Sequence, residues 1–431
     1  MLRLLFILFI SQCTFAQLNW ISHKNKIEIP FELIYNLIIV DVKVNDVDLK
    51  MILDTGSEKN LLFSFPENDS IAFYNPKTIS VRGLGYGKEL NAYISEKNKF
   101  EINGLVDRNF QVLLVTNQDI SLIDKLGIQI NGIIGSSFFK DFLVEINYSK
   151  KKLYLYKDFE TITKKMSRYE KTQIEIYQNK PYVNLKIENS DENHNAKLLF
   201  DSGLGDGLWL FESDSIKCKE RYFIDFLGRG LSGDVKGKKS RIESLQLDKF
   251  ILHHALVSYP DIKLSEFDLF KGRDGSLGGE IIKRFNWILD YKNHFFYYKQ
   301  NNLFNEPFNY NMSGLEVHHF GQQWVKELDS FTNVSGKGEV NATEYISKVY
   351  NYKYTLKPNF QIYEVRENSP AAKAGLLAGD IIIKINNKSS HNYTIQKITE
   401  LFQSEEGKKI KILVERDGKL LEFEFYLEKI L

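Results

Sequence analysis

Cysteine is nearly absent, with two in the whole chain. A disulfide framework is therefore excluded as the source of stability, and the fold must rest on its hydrophobic core. Net charge is also lacking, since 57 Lys and Arg stand against 56 Asp and Glu. So balanced a chain has no electrostatic footprint for nucleic acid or an anionic membrane. Proline is scarce, at 8 residues, and no segment is low in complexity, so a packed globular protein is expected. Beyond the first residues no apolar run has the length to cross a bilayer. The sequence has no His-Glu-x-x-His, no phosphate loop and no Gly-x-Ser-x-Gly elbow, which removes support for metallopeptidase, nucleotide-binding and α/β-hydrolase chemistry. The pairs His253-His254 and His318-His319 are adjacent, and neighbours on a strand face opposite ways, so neither pair offers two metal ligands on one face. No metal or cofactor is called for.

Aromatic residues are abundant, with 31 Phe and 23 Tyr. Such residues suit pleated, half-buried surfaces, which points to a mainly β protein. The N-terminus reads as an export signal: Arg3, then the apolar run Leu4 to Ile10, then Thr14-Phe15-Ala16 before Gln17. That run is too short for a membrane anchor, so residues 1–16 are expected to be a cleaved signal peptide and the protein periplasmic or extracellular. Cleavage removes Cys13 and leaves Cys218 with no partner. Lipid attachment at Cys13 is less favoured, because Gln12 fits that signal poorly.

The dominant feature is an internal repeat. Lys50-Met51-Ile52-Leu53-Asp54-Thr55-Gly56 matches Lys197-Leu198-Leu199-Phe200-Asp201-Ser202-Gly203. Later landmarks follow in the same order at a nearly constant offset. Ile134-Gly135 matches Leu277-Gly278, Asn147-Tyr148 matches Asp290-Tyr291, and Leu153 to Tyr156 matches Phe295 to Tyr298. Period-two alternation over Leu37 to Val44, Phe110 to Val115 and Tyr182 to Ile187 predicts strands, and helical turns are expected only near Phe138 to Phe142 and Ile281 to Phe285. Each copy also has a glycine-rich hairpin tip, Gly83-Leu84-Gly85-Tyr86-Gly87 and Gly228-Arg229-Gly230-Leu231-Ser232-Gly233.

Two equivalent carboxylates held close together do not both ionise readily. One keeps a proton, and the pair titrates as a unit. The charged member then serves as general base on a water while the protonated one polarises a carbonyl. That suits metal-free peptide-bond hydrolysis. Asp before Thr-Gly is also a good turn former, so two duplicated turn caps are the simpler alternative.

These residues resemble the aspartic peptidases of the pepsin and retropepsin superfamily. The resemblance covers about residues 30 to 300 and rests on Asp54-Thr55-Gly56-Ser57 with Ile133-Ile134-Gly135, and on Asp201-Ser202-Gly203-Leu204 with Ser276-Leu277-Gly278. It implies a bilobal pair of β-barrels, with lobe one at 17–160 and lobe two at 161–305. It implies that Asp54 and Asp201 are catalytic, that Thr55, Gly56, Ser57, Ser202 and Gly203 support them, and that flap residues Gly83, Gly85, Tyr86, Gly228 and Gly230 close over a peptide substrate. Leu204 departs from the family, since pepsin-like enzymes have Ser or Thr there to hold the outer carboxylate oxygen. By this comparison Ser57 supplies that hydroxyl in lobe one alone. The loss predicts activity less restricted to acid than pepsin's. The reduced motif also leaves open a non-catalytic peptide-binding protein on an inactive peptidase scaffold.

After about Asn305 the repeat ends. Ser369-Pro370-Ala371-Ala372-Lys373-Ala374-Gly375-Leu376, then Gly379-Asp380 and the strand Ile381 to Ile385, resemble a bacterial PDZ domain, expected over 308–431 as an α+β unit. The strand Phe360 to Val365, the helix Ile395 to Phe402 and a final hairpin turning at Asp417-Gly418 complete the pattern. The resemblance implies peptide capture by strand addition, with Gly314, Leu315, Glu316 and Val317 at the carboxylate loop. An insertion at about Gln322 to Pro358 is a candidate cover for that groove.

Overall fold

The structure, a computed structural model, describes residues 18–65, 70–81, 90–115, 127–189, 192–230, 233–262, 272–337 and 344–431. The expected signal segment 1–16 lies outside them, as do Gly83, Gly85 and Tyr86. Among the described residues no helix is long and apolar enough to cross a membrane. The chain divides into two compact units, with the division after Asn309.

The first unit is built from the repeat. In lobe one the strands that matter are β1 (Lys26–Pro30), β2 (Leu37–Val44), β3 (Val47–Leu53), β4 (Leu90–Ile102), β5 (Leu105–Val115), β6 (Gly132–Ile134), β7 (Leu143–Asn147) and β8 (Lys152–Tyr156). In lobe two they are β9 (Glu170–Gln173), β10 (Lys180–Asn189), β11 (Glu192–Phe200), β12 (Phe223–Gly230), β13 (Gly233–Arg241), β14 (Leu256–Pro260), β15 (Gly275–Leu277), β16 (Phe285–Asp290) and β17 (Phe295–Gln300). Strands β2 and β10 alternate buried and exposed residues over part of their length, as a half-buried strand should.

Each lobe has the same crossing. Strand β3 runs into Asp54, and β6 lies parallel beside it with Ile134 opposite Leu53. Strand β11 runs into Asp201, and β15 lies parallel beside it with Leu277 opposite Phe200. The chain turns away from each crossing through Gly135 or Gly278. A β-carbon on Gly135 would meet the Lys59 carbonyl oxygen at 2.7 Å, and one on Gly278 the Asp206 carbonyl oxygen at 2.2 Å, so only glycine fits. A single helical turn follows each, Ser136–Phe139 and Gly279–Ile282, slightly earlier than the sequence suggests.

A six-stranded sheet in the order β9-β17-β16-β7-β8-β1 is shared between the lobes. Its centre is the antiparallel pair β7 and β16, with Val144 opposite Leu289 and Ile146 opposite Trp287. Trp287 is buried here, and Phe200, the last residue before Asp201, packs edge-on to it at 4.8 Å. The strand carrying Asp201 is therefore anchored on the sheet that joins the halves.

The second unit is an α+β sheet. Its main elements are β18 (Leu315–Lys337), β19 (Glu344–Val365), α1 (Pro370–Ala374), β20 (Ile381–Ile385), α2 (Ile395–Phe402), β21 (Lys409–Arg416) and β22 (Lys419–Tyr426). Ser369 caps α1 by accepting from the Ala372 N–H at 3.2 Å, Pro370 opens it, and Gly375 at φ 95° ends it. Asp380 is buried because Arg416 clamps it through two hydrogen bonds of 2.6 and 2.7 Å. The final turn uses Asp417 and Gly418, both at positive φ, which matches the twist of a two-residue hairpin. The segment read as an insertion is regular in structure. It is a continuous two-stranded ribbon extending β18 and β19 to the pair Lys337–Glu344.

Candidate active site

Asp54 and Asp201 are brought together at the meeting of the two crossings. The proof of close approach is in their glycines. A β-carbon on Gly56 would fall 2.5 Å from an Asp201 carboxylate oxygen, and one on Gly203 would fall 2.3 Å from Cγ of Asp54. Each glycine lies under the other lobe's carboxylate, and any side chain there would displace it.

Thr55 and Ser202 tie the lobes in a reciprocal set of four hydrogen bonds. Thr55 Oγ1 donates to the Phe200 carbonyl at 2.5 Å and accepts from the Ser202 N–H at 3.0 Å. Ser202 Oγ donates to the Leu53 carbonyl at 2.8 Å and accepts from the Thr55 N–H at 3.0 Å. Both side chains are buried, so these bonds have no competing water.

One oxygen of each carboxylate is held by main-chain donors. The Gly56 N–H reaches Asp54 Oδ1 at 2.7 Å and the Ser57 N–H reaches it at 3.2 Å, while the Gly203 N–H reaches Asp201 Oδ1 at 3.0 Å. Ser57 departs from the expectation based on pepsin-like enzymes. Its hydroxyl donates to the Lys59 carbonyl at 2.8 Å, so it supports Asp54 through its backbone N–H instead. The two halves are thus more alike at the carboxylate than their sequences suggest. Leu204 has a packing role of its own, against the cluster of Trp209, Leu227 and Val235.

Both carboxyls hold a proton more tightly than an ordinary carboxyl does. Burial, then the charge of Asp201, pushes the proton affinity of Asp54 well above that of an ordinary carboxyl. Asp201 is also raised by burial, but the Arg273 guanidinium, a hydrogen bond from Asp54 and the Gly203 N–H oppose that rise. Two acids this close titrate as one unit, sharing a single proton between them. Arg273 and Lys180, neither evident in the repeat, place two cations within electrostatic reach of Asp201. No sequence signal marks them, because lobe one has no charged counterpart at either place and their approach depends on the folded hairpin.

Asp206 is held on several sides. Its carboxylate accepts from Ser258 Oγ at 2.5 Å, from Trp209 Nε1 at 3.2 Å and from the Gly207 N–H at 3.0 Å, with the Lys239 ammonium 3.6 Å away. Despite its burial, Lys239 and these donors keep it below the usual carboxylate range. It braces the base of the second hairpin, where β13 carries Lys239. In that hairpin Gly228 sits at φ 147° at a bulge in the β12–β13 register, and Gly230 pairs with Gly233.

In the second unit the loop proposed for carboxylate binding is already engaged. The Gly314 N–H donates to Asn311 Oδ1 at 3.2 Å and the Leu315 N–H to Ser313 Oγ at 3.0 Å. Leu315 and Val317 are buried in the core, so they present no side chain to a ligand. Gly314 itself is required by its φ of 81° and by Ser369, whose Cβ would lie 2.2 Å from an added β-carbon. The Gly314 and Leu315 N–H groups, expected at the carboxylate loop, are thus bonded to side chains of their own unit. Glu316 lies between the buried Leu315 and Val317, on a strand that is at the edge of its sheet among the described residues.

Comparison with known proteins agrees with this layout. Residues 40–138 match the aspartyl protease family, and residues 361–416 match the PDZ domain family. The chain thus joins an aspartyl-protease-type β segment to a PDZ domain. The Asp201 half lies outside the matched stretch and is assigned by the internal symmetry of the structure. Among solved structures, the aspartic proteinase from Irpex lacteus aligns at 10% identity and a TM-score of 0.41, over 66% of this chain and 100% of that one.

Proposed function

We propose that the chain is an aspartic endopeptidase in which Asp54 and Asp201 activate one water between them. The observation that carries this reading is the close approach of the two carboxylates, held by the reciprocal Thr55–Ser202 hydrogen bonds. Asp201 takes a proton from water, and the oxygen attacks the peptide carbonyl. Asp54 gives its proton to the carbonyl oxygen as the tetrahedral intermediate forms. The second-lobe hairpin, braced by Asp206, closes over the peptide. The apolar N-terminal run supports export to the periplasm or beyond. In the PDZ unit β18 is an edge strand among the described residues, which supports capture of an extended peptide through main-chain pairing along residues 315–319. With Gly314 and Leu315 engaged, we propose recognition of an internal segment rather than a C-terminal carboxylate.

The test is cleavage of a peptide mixture by the mature protein and by Asp54→Asn and Asp201→Asn across acid to neutral pH. Each substitution should lower turnover by at least roughly a hundredfold, the scale of a lost general acid or base. Cleavage surviving either one sinks the paired mechanism. A parent protein with no cleavage under any condition points instead to a binding protein on the same scaffold.

A further inference from the structure

The ribbon of the second unit has two unlike faces. Pairing of β18 with β19 sets Trp324 opposite Leu356, Lys326 opposite Tyr354, Leu328 opposite Tyr352 and Phe331 opposite Tyr350. Side chains alternate across a strand, so these residues share one face. The bulge between Leu328 and Ser330 is what keeps Phe331 on it. The face is open along its length. Trp324 is 69% exposed and Tyr354 60%, and Leu328, Phe331, Tyr350 and Tyr352 lie open beside them. A continuous apolar strip in contact with water marks a binding surface.

The charges divide between the two faces. Lys326 lies over the Tyr352 ring at 3.9 Å and Lys348 over the Phe331 ring at 5.1 Å, both on the aromatic side. Glu327 and Asp329 are on the reverse, where Lys357 approaches Glu327 at 3.2 Å and Lys353 approaches Asp329 at 3.9 Å. Thr355, also on the reverse, donates to Glu327 at 3.0 Å. Along 324–334 and 348–356 the aromatic face therefore carries cations and no carboxylate.

We propose that this face docks on a lipid surface bearing anionic headgroups. Tyr and Trp place an apolar ring and a polar tip at the boundary between water and hydrocarbon. Leu328 and Phe331 reach the acyl chains, and the two lysine stems leave their ammonium groups at headgroup level. Lipid phosphates supply the counter-charge that the face itself lacks. A second copy of the chain fits worse. A two-fold interface buries the same patch from both chains, so it would gather Lys326 and Lys348 of each with no carboxylate among them. A two-stranded ribbon also twists strongly, and a fluid surface follows that twist where a rigid partner needs a matching shape. The balanced charge of the whole chain hides this footprint, which is local to one face. The proposal goes beyond the peptidase reading and does not depend on it.

The experiment mixes the full mature protein with unilamellar vesicles of phosphatidylcholine, alone or with phosphatidylglycerol. Flotation reads the bound fraction, and tryptophan fluorescence reads the surroundings of Trp324. The expected result is binding to the mixed vesicles with a blue shift that Trp324→Phe removes. The triple variant Trp324→Ser, Tyr352→Ser, Tyr354→Ser should lower the partition constant at least about tenfold. Lys326→Gln and Lys348→Gln should each lower it roughly fivefold on the mixed vesicles and leave the weaker binding to phosphatidylcholine unchanged. All five side chains are on the open face, and circular dichroism checks that each variant is folded. No binding to either vesicle overturns the proposal, as does binding that the folded triple variant keeps. Equal binding to both lipids overturns the pairing with anionic headgroups. A mature protein that is dimeric by light scattering, and monomeric as the triple variant, overturns the lipid assignment in favour of a contact between copies.

Discussion

Thr55 and Ser202 each act as donor and acceptor in a space with no water to replace them. Thr55→Val keeps the shape but strands the Phe200 carbonyl and the Ser202 N–H. Each stranded buried group costs about 1–3 kcal/mol, so denaturant unfolding should show a loss at the upper end of that range or beyond. A loss under about 0.5 kcal/mol, the scale of an ordinary surface substitution, is the result that would refute the buried grip. Arg273 gives a second prediction, with a definite sign. The pair works with one proton, so the acid limb of kcat/KM marks protonation of its charged member, Asp201. Arg273 opposes the rise that burial imposes on Asp201. Arg273→Met therefore moves the acid limb to higher pH, and a pH–rate profile reads the shift directly. A limb that stays in place would show that Arg273 does not act on the pair. The sequence suggested activity away from strong acid because Leu204 has no hydroxyl. The structure supplies another cause in the same direction, the high proton affinity of Asp54, with Arg273 extending the active range toward acid.

Strands and crossings were legible to different degrees, for physical reasons. The repeat exposed the crossings because Asp-Thr/Ser-Gly and the later glycine are forced by backbone approach, and only glycine satisfies it at Gly135 and Gly278. The PDZ elements were legible because caps and turns are local: Ser369, Gly375 and Gly418 each act within a few residues. Asp206 was not legible, since Ser258 lies 52 residues away and only the fold delivers it. The ribbon was not read as strand for a different reason. Strands of 23 and 22 residues exceed the usual length of about 3–10. Its alternation was nevertheless present in the sequence. Trp324 faces Leu356, Leu328 faces Tyr352 and Phe331 faces Tyr350, while Val325–Thr355 and Glu327–Lys353 alternate with them. Trp324 is 69% exposed, and Phe331 and Tyr354 also lie open. The PDZ core of Phe360, Ile362, Ile382 and Ile412 uses none of these residues. Replacing 322–358 with a two-residue turn should therefore leave the melting temperature of the unit within about 2 °C, a change of well under 1 kcal/mol. A large drop in calorimetry would show that the ribbon carries stability.

At the scale of the whole chain, the question is whether one molecule completes its own site. A single lobe offers one aspartate and must dimerise to make a pair. Here β7 of lobe one and β16 of lobe two lie side by side in one sheet, and the Thr55–Ser202 exchange ties the two crossings of the same chain. Lobe exchange between chains would have to break both. Two outcomes follow that a dimeric enzyme would not give. Specific activity should stay constant as the protein is diluted from micromolar to nanomolar concentration, because no association precedes catalysis. Equal mixing of Asp54→Asn and Asp201→Asn should restore nothing, since each chain keeps its own defective half. Recovery of about a quarter of parental activity on mixing would mean that lobes pair between chains, as random assortment of halves requires. Loss of specific activity on dilution would say the same by an independent route. Constant activity with no complementation places the whole reaction within one chain, and makes the asymmetry between Asp54 and Asp201 a fixed property of the sequence rather than of assembly.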